Sequence, residues 1–219
     1  MNLNTKTAGI LNNNWFLFCA LLSLAMLNTF VYQTSVLTRE VYTNLMSETI
    51  DAKRIDEYFD MMTRLSVWNY LLLPVFLLLR LCFVALLVQV PFVLKFIDIP
   101  FARMLKIIMV AAIPLLLGGL IRTIWMLKLP ASEISREALT FVPFSIAVFF
   151  ESNELSSDIL AILSPFNIFE FAWIVILAMG LTRISKIQKS DAALLVLAVW
   201  TLIFVFQWIL TMYLKRVFG

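Results

Sequence analysis

The sequence predicts an all-α, polytopic membrane protein with five transmembrane helices, and three observations carry that prediction. Of the 219 residues, 62% are hydrophobic and 14% charged, whereas a soluble domain has roughly 45–50% apolar and about 25% charged residues. Mean hydropathy is +0.95, an excess that a core of this size cannot hide, so lipid must be the solvent for much of it. The apolar residues run in long continuous tracts rather than the short alternating segments of a barrel, and only helices and closed barrels cross a bilayer.

Each span can be justified in order. Residues 1–14 are polar, with Lys6 the one charged side chain. The first span covers 15–33, beginning at Trp15. No small-x-small cleavage site follows it, and the apolar run is long for the core of a signal peptide, so it is expected to stay as a span. Residues 34–65 are the most charged piece of the chain, yet Ile55, Tyr58, Phe59, Met62 and Leu65 recur at helical spacing. They predict an amphipathic helix at the membrane surface, lying against its own bundle or facing a partner.

The second span, 67–95, has Trp68 and Tyr70 as an aromatic belt at one end and Lys95 at the other. It is longer than the roughly 20 residues a span needs, so tilt or a break at Pro74 or Pro91 is expected. The third span, 105–127, contains Pro114, Gly118, Gly119 and Arg122. Residues 139–163 include an apolar stretch, Leu139 to Phe150, that is too short to span and is interrupted by Pro143. It reads as an interfacial or re-entrant segment. The fourth span, 167–184, opens with Pro165 and with Asn167 in N-cap position, where its side-chain oxygen can accept from free N–H groups of the first turn. Glu170 follows in that turn, at the positive end of the helix dipole. The fifth span is 191–213, with Trp200, Gln207 and Trp208. No internal repeat or low-complexity linker interrupts this order, so one membrane domain over 1–219 is expected.

Charge sets the orientation. The short loops carry Arg103, Lys106, Arg183 and Lys189, with Lys95 and Lys186 beside them, while the long connections are richer in acids than in bases. The positive-inside rule then places the amino terminus in the cytoplasm and the carboxyl terminus outside, against the vote of Lys215 and Arg216.

Away from the basic and acidic residues at the span ends, three charged residues fall within spans: Arg80, Arg122 and Glu170. A charge at membrane depth is costly unless paired or wetted, so each marks a candidate site, and Gln207 joins them as a polar neighbour. Counted from the outer span ends, Arg122 lies about 9 Å deep and Glu170 about 5 Å, so the two could meet, while Arg80 lies near mid-bilayer. Two readings follow. One is an Arg122–Glu170 pair that holds helix register, with Arg80 capping carbonyls freed by a proline. The other is a polar cavity that binds an anionic group on a lipid or solute. Candidate partner-facing residues are Ile55, Tyr58, Phe59 and Met62 on the amphipathic segment, and Phe144 and Phe149 on the apolar one.

Catalytic and cofactor motifs are scarce. The chain has no histidine, five glycines, and two cysteines, Cys19 and Cys82, both in apolar runs and expected to be small buried hydrophobes. No G-x-S-x-G, H-E-x-x-H, C-x-x-C or glycine-rich phosphate loop occurs. The expectation is a non-enzymatic protein without catalytic residues, cofactor or metal. The modest net charge of +3 carries no nucleic-acid message.

The segment Asn167-x-Phe169-x-x-x-Trp173, followed by an apolar run ending in Gly180-Leu181 and basic residues, resembles the fourth span of the Yip (Ypt-interacting protein) family. Ile113-Pro114-Leu115-Leu116-Leu117-Gly118 is similar to that family's third span, and the likeness covers about Trp68 to Tyr213. The resemblance implies five spans with a cytoplasmic amino end. Eukaryotic members carry a long hydrophilic amino-terminal region and act with small GTPases. Fourteen residues stand in that place here, so GTPase binding is not implied and the compact bacterial branch fits better.

Together these readings predict a protein of a bacterial inner membrane whose partners are lipids and another integral membrane protein. It would serve as an accessory or scaffold subunit, as in an exporter or an envelope machine. The alternative is a small transporter or a lipid- or anion-binding protein built around Arg80, Arg122 and Glu170.

Overall fold

The computed structural model describes residues 14–46, 51–135, 138–139, 141–150, 159, 162–185 and 187–218, without the side chains of 52, 53, 214, 215 and 218. Residues 47–50 of the amphipathic segment, and 151–158 with 160–161 of the apolar connection, lie outside the described residues. Among the described residues the long elements follow one another as α1 (Asn14–Val31), α2 (Arg39–Met46), α3 (Ala52–Leu94), α4 (Phe101–Met126), α5 (Ile168–Ser185) and α6 (Lys189–Phe218). All but α2 are long and apolar enough to cross a membrane. The protein is therefore an all-α polytopic membrane protein. The termini of the spans define two faces, one with the short loops after α3 and α5, the other with the long connections.

The largest departure from the expected boundaries is α3. The amphipathic segment and the second span are one helix of 43 residues, about 65 Å long. A bilayer core is about 30 Å thick, so the charged first turns stand beyond it. The sequence explains the continuity, because no glycine or proline falls between Ala52 and Leu73. Pro74 and Pro91 lie inside the helix, as Pro114 lies inside α4, and none of them breaks it. The expected break is absent because helix interiors in membranes tolerate a missing N–H when neighbours and local adjustment re-satisfy the freed carbonyl. The end of α3 comes instead at Phe96, which takes φ 55°. Ile97 N–H there donates to Phe92 O at 2.9 Å and Phe96 N–H to Val93 O at 3.0 Å, the left-handed closure that satisfies last-turn carbonyls.

The first helices fold back on this stalk. A π-helical turn, Tyr32–Val36, ends α1, and Thr38 Oγ1 accepts from Val41 N–H at 3.4 Å to start α2. Arg39 then pairs with Asp56 and Asp60 at 3.4 and 3.3 Å, and Tyr42 meets the rings of Tyr58 and Phe59. The ion pairs are exposed and contribute little, so apolar contact decides this docking. Ile55 is 1% exposed. Ile55, Tyr58 and Phe59 are thus turned to the chain itself and are not a free partner face, which corrects that expectation; Met62 is half-buried. Val36, Val41, Met126 and Ile134 make a small core at the long-connection face.

The main core lies where α1, α3, α4, α5 and α6 meet, around Leu21, Val88, Met104, Ile108, Leu177 and Val196. The closest pair is α4 with α5. Gly180 sits against the Ile107 side chain, and a Cβ on Gly118 would stand 2.7 Å from the Phe169 ring. Small residues let membrane helices approach closely, where dispersion rather than water exclusion holds them. Side-chain hydrogen bonds add direction. Thr123 Oγ1 donates to Asn28 Oδ1 at 2.7 Å between α4 and α1, and Gln89 Nε2 donates to Ile99 O at 3.0 Å across the turn after α3. Both cysteines are free, and Cys19 is exposed rather than buried. A small apolar side chain facing lipid loses nothing, so the rule that cysteines go inside does not carry over from water-soluble proteins.

Among its described residues, the connection before α5 carries only short turns, including the 3₁₀ turns Ala131–Glu133 and Ile146–Phe149, and no long helix. It is pinned to the start of α5 by a bridge between Ser145 and Asn167, with Ile146 N–H donating to Phe166 O at 2.9 Å. Asn167 caps α5 as its position predicts: its Oδ1 accepts from Phe169 N–H and Glu170 N–H, both at 2.9 Å, while its Nδ2 donates to Ser164 O at 3.0 Å. Replacing it with alanine removes the acceptor of two first-turn N–H groups and the donor to Ser164 O. Asn167→Ala is therefore expected to destabilise by about 1–2 kcal/mol, read as a lower melting temperature in detergent. An unchanged melt would mean that water replaces the cap at no cost.

Candidate functional site

The polar residues of the spans do not form one cluster. The α4–α5 register shows why. The contacts of Gly180 with Ile107 and of Gly118 with Phe169 set the antiparallel alignment. Continued to the end of α4, that alignment brings Arg122 level with Pro165, five residues before Glu170 and about 7.5 Å higher along the axis. Arg122 and Glu170 make no ion pair within 4 Å, so the anticipated register pair does not form. The outer ends of α4 and α5 are not level, which is what the depth count from those ends assumed.

Glu170 instead accepts a hydrogen bond from Trp200 Nε1 on α6, at 3.1 Å. As the third residue after the cap, its carboxylate is well placed to reach back to the Asn167 N–H, the reciprocal capping arrangement; it turns across to the neighbouring helix. Trp200 is held for this by aromatic packing. Its indole stacks on Phe204 at 5.7 Å between ring centres and meets Phe166 edge-on at 5.4 Å. Trp200 as the partner of Glu170 was missed in the sequence. Counting from the short loop that joins α5 to α6 would have found it: Glu170 is fifteen residues up α5 from Ser185 and Trp200 eleven up α6 from Lys189, within reach of a long indole.

Two cavities divide the candidate residues between them. The first, about 540 Å³, opens among α3, α4, α5 and α6 and is lined by Arg80, Trp173, Glu170, Trp200 and Gln207. Arg80 and Glu170 thus face the same space. Arg80 nonetheless makes no hydrogen bond or ion pair within 4 Å among the described residues, and it is exposed. It stands fourteen residues, about 21 Å, from the end of α3 at Leu94, well inside the apolar length of that helix.

The second cavity, about 690 Å³, lies toward the long-connection face between the end of α4, the 135–150 connection and α6. Arg122, Trp125, Ser135, Phe141, Gln207 and Thr211 are among its lining residues. Gln207 borders both cavities. Trp125, Ser135 and Thr211 carried no signal in the sequence, because the irregular connection that brings Ser135 and Phe141 over the end of α4 follows no periodic pattern. Of the exposed apolar candidates, Phe144 is 66% and Phe149 86% exposed, though the Phe144 ring still meets Phe169 edge-on.

These features define a five-span integral membrane protein with charged groups at two depths. No protein family, no curated protein and no solved structure matches the chain.

Proposed function

We propose that this chain is a non-enzymatic accessory subunit of a membrane complex, and that it docks on another integral membrane protein through the α3 face around Arg80. The observation that carries the reading is the exposure of that guanidinium within the apolar length of a span. A cation there costs about 3 kcal/mol or more unless it is covered. An acid or polar side chain on a neighbouring protein's helix, at matching depth, would supply the cover that the chain's own Glu170, engaged by Trp200, supplies only at a distance. Phe144 and Phe149 add exposed apolar surface at the long-connection face, where the same partner or lipid can meet them.

The resemblance of α4 and α5 to the Yip family, in its compact bacterial branch, supports the same role and the same placement: an inner membrane, with the basic short-loop face in the cytoplasm. An exporter or an envelope machine is the kind of complex such a subunit would serve.

Arg80→Leu separates docking from internal structure by the sign of its effect. A docking residue, once removed, leaves the isolated protein as stable as before or more so, because an uncovered cation is gone, yet co-purification of the partner from crosslinked native membranes is lost. A fall in the isolated protein's melting temperature with the partner retained would make Arg80 structural. Failure to recover any stoichiometric partner with the unmodified protein would end the accessory-subunit reading.

A further inference from the structure

We infer that the cavity at Arg122 is a binding site for an anionic amphiphile, with a phosphate held on the guanidinium and an acyl chain on the apolar wall. The inference is independent of the docking role of Arg80. Its first support is an unpartnered guanidinium. Arg122 lines a 690 Å³ cavity and makes no hydrogen bond or ion pair within 4 Å among the described residues. A charged donor without an acceptor is costly, more so than a neutral one. Nε itself is occluded, so the two terminal Nη groups are the parallel donors that grip a phosphate or carboxylate in a fork.

The second support is the chemistry of the described lining. Among the described lining residues there is no Asp or Glu, and Glu170, the acid nearest in sequence to this end of α5, is engaged by Trp200 in the other cavity. The remaining polar lining can donate. Ser135 Oγ already accepts from Ala138 N–H at 3.2 Å, which leaves its proton for a guest, and Gln207 brings an amide. A cation facing donors in a low dielectric selects an anion.

The third support is depth and shape. Arg122 stands four residues, about 6 Å, from the end of α4 at Met126, where headgroups meet acyl chains. Trp125, with its ring 4.5 Å from that of Phe141, and Trp208 mark the same level. Beyond the polar end the wall turns apolar through Leu139, Val142, Val148 and Phe150. A volume in the range of about 300–1,000 Å³ suits a headgroup with the first part of a chain. A free anion would use the polar end and leave the apolar wall idle, so a lipid phosphate is the better occupant.

The test uses the full chain in nanodiscs of equal phosphatidylglycerol and phosphatidylcholine, with retained lipid counted by native mass spectrometry after release. The unmodified protein is expected to keep one phosphatidylglycerol at least about tenfold over phosphatidylcholine. Arg122→Gln is expected to erase that preference, Arg122→Lys to weaken it severalfold because the charge stays but the fork is lost, and Arg80→Leu to leave it unchanged. Displacement of the retained lipid by millimolar inorganic phosphate would assign the site to the anion alone. Equal retention of the two lipids by the unmodified protein overturns the inference even if Arg122→Gln does not fold, as does an undiminished preference in a folded Arg122→Gln.

Discussion

Gly180→Leu is expected to leave no monodisperse folded protein in detergent. Gly180 lies on α5 where α5 meets α4, directly against Ile107, and that helix pair is the most extensive contact in the fold. Ile107 is β-branched and stiff at χ1, so it cannot swing aside as a longer, unbranched side chain would. Overpacking by a single methyl in such a contact costs about 1–3 kcal/mol, and a leucine must push the two helices apart. That separation would also lift Phe169 from Gly118, with which it is in register, and loosen the start of α5 that carries Glu170. The milder Gly180→Ala is the quantitative version. It should lower stability by about 1–3 kcal/mol, and Ile107→Ala in the same chain should return part of the loss, the coupling expected of residues in contact. Size-exclusion profiles and thermal melts read both. A Gly180→Leu protein that melts like the unmodified one would show that α4 and α5 do not approach each other closely at this point.

Trp200→Phe is the second change with a large expected effect. Phenylalanine keeps most of the ring stack on Phe204 and removes the N–H that Glu170 accepts. A carboxylate that is half-buried within the spans then loses the hydrogen bond that Trp200 gives it, at a cost of about 1–3 kcal/mol or more. Glu170→Gln should be close to neutral, because the amide oxygen can still accept and a charge has been removed from low dielectric. Trp200→Phe in a Glu170→Leu background should cost much less than Trp200→Phe alone. If the losses in the two backgrounds are equal, the indole contributes by packing and the hydrogen bond adds nothing measurable. Reversible unfolding in mixed detergent micelles would measure the cycle.

Class and element order are legible in this chain without coordinates, because the bilayer imposes them on sequence directly. Every span shows as an apolar tract, and Asn167 shows as a cap by residue type and position alone. Boundaries are less legible where helix and surface segment merge. The charged turns before Trp68 differ in composition from the span after it, but composition marks the change of solvent and not the end of a helix. With no glycine or proline between them, one helix serves both environments. The amphipathic stripe of Ile55, Tyr58 and Phe59 announces that something covers it; that the cover is α2 of the same chain follows from a fold-back that periodicity does not encode.

The sequence alone determined that this protein lives in a membrane as five helices, since hydrophobic length and backbone hydrogen bonding leave no other structure. It also singled out the charges that must be functional or paired. Which charge meets which group was decided only in three dimensions. Two glycines set how α4 and α5 slide against each other, and that offset of a few residues, a matter of side-chain contact between distant segments, carries Arg122 past Glu170 and into a cavity of its own.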